Sequence, residues 1–144
     1  MLKKVLFFLS ILGFFSCTDN NLPANCIRPF SVSISTDLNN PQLLNAQVPG
    51  GSVELSGGAK GIILLNVNGT EFVAYDRICP EGDCNTAMIY DKLNRPNILK
   101  CSCDGSEYGL GLGIGGAPQT EGFLCSALEY KVSKIGSSIR ISNF

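Results

Sequence analysis

Two short segments hold the residues most able to do chemistry: Cys79-Pro80-Glu81-Gly82-Asp83-Cys84 and Cys101-Ser102-Cys103-Asp104-Gly105-Ser106. Their four thiols admit two broad chemistries, binding of a soft metal or oxidation to disulfides. A C-x4-C pair answered by a C-x-C pair is an unusual spacing for zinc. Glu81, Asp83 and Asp104, with Glu107 close by, offer carboxylate oxygens of the kind a hard cation takes, although acids on loops are ordinarily just solvated. The 144 residues include no histidine, so the chain has neither an imidazole ligand nor an imidazole base. No serine or cysteine has a base beside it to activate it as a nucleophile, and the chain does not read as an enzyme.

To act together the two segments must ride on facing loops, and the sequence around them is written in strands. Phe30, Val32 and Ile34 alternate with Ser31, Ser33 and Ser35, the period of a half-buried strand, and Val53-Glu54-Leu55 repeats it. The continuous apolar run from Gly61 to Val67 has strand length. Asn68-Gly69 before Thr70 to Tyr75 is a two-residue hairpin signal. These two strands would deliver the chain to the first segment. Met88-Ile89-Tyr90 and Asn97-Ile98-Leu99-Lys100 would form a small hairpin between the segments, with Asn94-Arg95-Pro96 in its turn. No mature helix is expected. The predicted architecture is all-β, an antiparallel base carrying a smaller loop-bearing subdomain. Gly111-Leu112-Gly113-Ile114-Gly115-Gly116 satisfies G-x-G-x-x-G, but no helical pattern follows it, so it reads as a loop rather than a phosphate cradle.

Residues 1–16 have the layout of a signal peptide: Lys3 and Lys4, then an apolar core from Val5 to Phe15 too short to span a bilayer. Phe14-Phe15-Ser16-Cys17 resembles a bacterial lipobox, which implies a lipid-bearing Cys17 at the mature amino terminus and a polar tether over 17–28 before a domain at 29–144. The expected location is the cell envelope, most simply the outer membrane, facing the periplasm or the exterior, with the membrane as one partner and an unidentified envelope protein as another. Removing Lys3 and Lys4 from the 11 basic residues leaves 9 against 12 acidic ones, a balance that argues against nucleic acid. The mature length suffices for a single core. The signal contains no arginine, which excludes the twin-arginine route for folded, cofactor-loaded proteins and points to export of an unfolded chain into an oxidising compartment. Six cysteines follow Cys17, and an even number in a small exported domain reads as a disulfide framework, with 15 pairings open from sequence alone.

Apart from two positions, the cysteine segments resemble the two ligand loops of Rieske iron–sulfur proteins, C-x-H-x-x-C and C-x-C-H-G-S. Phe72 to Arg77 resembles the strand feeding the first loop, Gly105-Ser106-Glu107-Tyr108 the G-S-x-F after the second, and Gly115-Gly116-Ala117-Pro118 the proline loop that shields the cluster. Leu128 to Val132 with Ile139-Arg140-Ile141 resembles the closing strands, so the likeness runs over roughly residues 60 to 142. Gln119 to Ser126 looks inserted. The resemblance implies a Rieske-like fold in which Cys79, Glu81, Cys101 and Asp104 occupy the ligand positions, and these four would be the ligands if any metal were held. Glu81 and Asp104 stand where the family has its two histidines, and a Rieske centre is defined by two imidazoles on one iron. The expectation is therefore a degenerate site with no cofactor, in a non-redox binding or structural module. The alternative is a [2Fe-2S] electron-transfer protein with atypical ligands. Two carboxylates would add negative charge to such a cluster and pull its potential toward the plant-ferredoxin range near ~−400 mV. The resemblance also implies a Cys84–Cys103 disulfide tying the loops, brings Cys79 and Cys101 face to face where the metal would be, and leaves Cys26 and Cys125 to each other.

Overall fold

The computed structural model describes Pro23 and residues 25–143; the expected signal peptide and Cys17 lie outside the described residues. Its strands are β1 (Ser33–Asp37), β2 (Ser52–Leu55), β3 (Ile62–Asn66), β4 (Phe72–Asp76), β5 (Ile89–Tyr90), β6 (Ile98–Lys100), β7 (Glu107–Gly109), β8 (Glu129–Ile135) and β9 (Ser138–Ser142). They form a six-stranded sheet in the order β1-β9-β8-β4-β3-β2 and a three-stranded sheet in the order β5-β6-β7, with every pairing antiparallel. The chain is thus all-β, a large base sheet with a small second one; the first cysteine segment lies between β4 and β5 and the second between β6 and β7. No helix among the described residues is long and apolar enough to cross a membrane.

The apolar run of β3 lacks alternation because both of its faces are covered. Ile63 and Leu65, with Val73 and Tyr75 of β4, pack with Met88, Leu99 and Tyr108 of the loop-bearing part. Ile62 and Leu64, with Phe72 and Ala74, pack the other way, against Val32, Tyr130, Ile139 and Ile141. The central hairpin therefore belongs to two cores at once and couples the loop-bearing sheet to the closing strands.

Four local features depart from the sequence expectation. The first strand begins at Ser33, not Phe30, because β9 ends opposite it at Ser142 and the Val32 N–H turns to Asn143 Oδ1 at 3.1 Å. The β3–β4 connection is longer than a two-residue turn. The Val67 N–H donates to the Glu71 carbonyl, and Asn68 Oδ1 accepts from the N–H groups of Thr70 and Glu71. A 3-10 helix (Pro41–Ala46) occurs where none was expected, with Asn40 Oδ1 capping the Gln42 N–H, Pro41 in its first turn, and Leu43 and Ala46 buried beneath it. The small sheet has a third strand, β7, which pairs Leu99 with Tyr108.

Candidate functional site

The first cysteine loop is aimed by Asp76, the last residue of β4. Its fully buried carboxylate accepts from the N–H groups of Ala59 (2.7 Å), Lys60 (3.2 Å) and Ile78 (2.9 Å) and from the Tyr130 hydroxyl (2.8 Å). These donors fix the chain one residue before Cys79. They also explain Gly58, at φ +60°, where an added Cβ would stand 2.1 Å from Asp76 Oδ2. An Ile78–Ala87 bridge closes the base of the loop, and the Gly82 N–H donates to the Cys79 carbonyl across its tip. The second loop leaves β6 and returns through Ser106, whose carbonyl accepts from the Cys101 N–H at 2.8 Å. A third loop, 111–118, lies along β7, with the Gly109 N–H on the Ala117 carbonyl and a Tyr108–Pro118 bridge. Gly116, at φ +69°, approaches Ala127 so closely that a Cβ would lie 2.5 Å from the Ala127 oxygen. The G-x-G-x-x-G stretch is part of this loop and no helix follows it.

The six described cysteines form three disulfides: Cys79–Cys101, Cys84–Cys103 and Cys26–Cys125. Cys79 and Cys101 are fully buried in the core that contains Tyr75, Met88, Leu99 and Tyr108, and Cys84 is only 5% exposed, whereas Cys103 is exposed. The sulfurs of Cys79, Cys84 and Cys101 all lie within 4.8 Å of one another. The two box bridges thus form one sulfur cluster, with a buried inner pair and an outer pair that reaches solvent. Beside the outer pair, Thr86 Oγ1 lies 3.1 Å from Cys84 Sγ and 2.7 Å from Ser102 Oγ. A disulfide sulfur carries no proton, so Thr86 donates to Cys84 and Ser102 to Thr86.

Glu81 and Asp104 are both engaged by groups of the protein itself. Glu81 accepts from Asn25 Nδ2 at 2.6 Å and from the Cys125 N–H at 3.4 Å. The Ile27 N–H meanwhile donates to the Pro80 carbonyl at 2.9 Å. Glu81 therefore receives the amino-terminal segment and the segment 119–126, which Cys26–Cys125 joins to each other across the first loop. Asp104 caps its own turn, accepting from the Ser106 N–H at 2.8 Å and from Ser106 Oγ at 2.6 Å; Ser106 Oγ lies 3.0 Å from the Tyr108 hydroxyl. Burial pushes the Tyr108 phenol above its usual range, and the carboxylates of Asp104, Glu81 and Asp83 push it further. Among the described residues, no three of the carboxylates of Glu81, Asp83, Asp104 and Glu107 converge on one point. Glu107 is drawn to Arg95 at 2.6 Å, and among the described residues the three cysteine sulfurs are the sole group of three candidate ligand atoms that converge.

Asp76 and the tie from Asn25 to Glu81 are not among the residues expected from sequence; the signal for Asp76 is an acid that closes an apolar strand three residues before Cys79. No protein-family model matches the chain, and no curated protein matches it. Among solved structures, the ferredoxin of carbazole 1,9a-dioxygenase from Nocardioides aromaticivorans IC177 is similar. It is 12% identical at a TM-score of 0.49, over 82% of this chain and 100% of that one.

Proposed function

We propose that this chain is a lipid-anchored envelope protein whose Rieske-like domain holds no iron–sulfur cluster and serves as a binding or structural module, its two ligand loops clamped by disulfides. The observation that carries the reading is the use made of the four ligand positions. Cys79 is bonded to Cys101, Glu81 holds Asn25 and the Cys125 N–H, and Asp104 caps the Ser106 turn. This donor set does not fit a Rieske cluster: the imidazoles are missing, the thiols are consumed and the carboxylates have other partners. The arginine-free signal supports the same reading, since a chain exported unfolded arrives without a preassembled cluster. Neither the boxes nor their surroundings supply a nucleophile with a base, which supports a non-enzymatic role. Cys17, at the end of the apolar leader, supplies the anchor to the membrane, most simply the outer membrane with the domain facing the periplasm or the exterior.

The test is iron and acid-labile sulfide analysis, with an absorption spectrum, on protein recovered from the envelope and on protein made anaerobically. The expected result is a colourless domain with less than about 0.1 iron per chain. Two irons and two sulfides per chain with a reducible rhombic EPR signal would establish the electron-transfer alternative instead. Anchoring is tested separately: Cys17→Ser is expected to abolish the acyl mass and membrane partition, and a mature chain cleaved elsewhere would refute it.

A further inference from the structure

The two box disulfides sit too close together, and too differently exposed, to be independent. Cys79 and Cys101 are fully buried, so a reductant in solution cannot touch the bond between them in the folded protein. Cys103 is exposed, and its partner Cys84 lies with its sulfur within 4.8 Å of both inner sulfurs. Cys84 is thus bonded to the surface on one side and packed against the buried bridge on the other. We propose that Cys103 and Cys84 form the port through which a dithiol opens the buried Cys79–Cys101 bridge by thiol–disulfide exchange. The inference rests on the disulfide-clamped reading above and adds a route by which that clamp is released.

The chemistry balances with a dithiol, a small molecule or a protein, as the only co-reactant. One of its thiolates attacks the sulfur of Cys103, the exposed residue of the outer pair, which breaks the Cys84–Cys103 bond and expels Cys84 as a thiolate. Its second thiol then displaces Cys103, leaving the reagent as a disulfide and both outer cysteines reduced by two electrons and two protons. The Cys84 thiolate attacks Cys79 or Cys101, forming a new bond to that sulfur and expelling the other as a thiolate that takes up a proton. Finally Cys103 attacks Cys84, the outer bridge re-forms, and the second inner cysteine leaves as a thiol. The net result is one oxidised dithiol and a reduced Cys79–Cys101 pair. Thr86 supports the exchange where it must begin, because its hydroxyl, 3.1 Å from Cys84 Sγ and itself receiving a hydrogen bond from Ser102, is placed to stabilise the Cys84 thiolate.

Cys103→Ser traps the intermediate, since it leaves Cys84 as a thiol beside the inner bridge with no outer partner to return to. Non-reducing peptide maps of the alkylated variant should show Cys84 bonded to Cys79 or Cys101, with the displaced inner cysteine carrying the alkyl tag. Cys84 fully tagged beside an intact Cys79–Cys101 bridge would overturn the proposal. If that variant does not fold, wild-type protein gives the second reading. With substoichiometric dithiothreitol, molecules that keep native circular dichroism are acid-quenched, unfolded in denaturant and only then alkylated, and tags are expected on Cys79 and Cys101. Inner tags only in molecules that have lost the fold would overturn it. The untreated wild-type map separates the two layers: four free box thiols would refute the clamp itself, whereas an intact clamp without exchange would refute only the relay.

Discussion

Glu81 and Asp104 are structural residues in this account, and their substitution should be read in stability. Each accepts two hydrogen bonds from protein groups. Glu81→Ala and Asp104→Ala are each expected to lower the unfolding free energy by about 1 kcal/mol, measured from the urea midpoint, with no change in iron content or visible absorption. A metal-dependent loss of stability at either position would contradict the assignment. The two cysteine segments stand out in the sequence because their spacing is short and local. What Glu81 does was not legible there: its partners Asn25 and Cys125 come from 56 and 44 residues away, and nothing in the residue types of either segment announces the meeting. Asp76 was missed for the same reason, since its donors come from the 58–60 turn, its own loop and Tyr130.

The strands were legible where their burial is simple. Those with one buried face alternate, and the β3 run, covered on both sides, reads as continuous apolar sequence. The pieces that failed are those too short to show a period: β7 is three residues ending in glycine, and the Pro41–Ala46 helix is held by its Asn40 cap and by Asn66 Nδ2 on the Ala46 carbonyl. Between the loops, the two box disulfides close chain segments of nearly equal length, 22 and 19 residues apart, each worth roughly 3 kcal/mol in the chain-entropy model and less than additive together. Burial then separates them. Cys79→Ser with Cys101→Ser places two hydroxyls at fully buried positions, at a further cost of about 1–3 kcal/mol each if unpaired, whereas Cys103 is exposed. The inner double variant is therefore expected to melt below the outer one, Cys84→Ser with Cys103→Ser. The reverse order in calorimetry would mean that the outer bridge is the principal clamp.

Across the molecule the shared β3–β4 hairpin joins the two cores, and Cys26–Cys125, 99 residues apart, closes the longest loop, worth about 4–5 kcal/mol by the same model. A pH signature follows from the same packing. All four tyrosines have phenols pushed above their usual range, first by burial; Tyr75 rises to about 12. Unfolded tyrosines ionise near 10, so the folded state keeps its full stability below about pH 10 and loses it as the pH climbs toward and through about 12, because the unfolded chain releases its protons first. Urea midpoints should fall between pH 9.5 and 11 by roughly the proton difference, and the tyrosinate absorbance of native protein should lag that of protein in denaturant; coincident titration curves would show the phenols to be open to solvent. Non-reducing peptide mapping of protein taken from the envelope without exposure to reductant decides whether the proposed disulfides clamp the two cysteine segments. The expected map has Cys79 joined to Cys101 and Cys84 joined to Cys103 in the same molecules. Free thiols at Cys79 and Cys101, with metal retained between them, would contradict it.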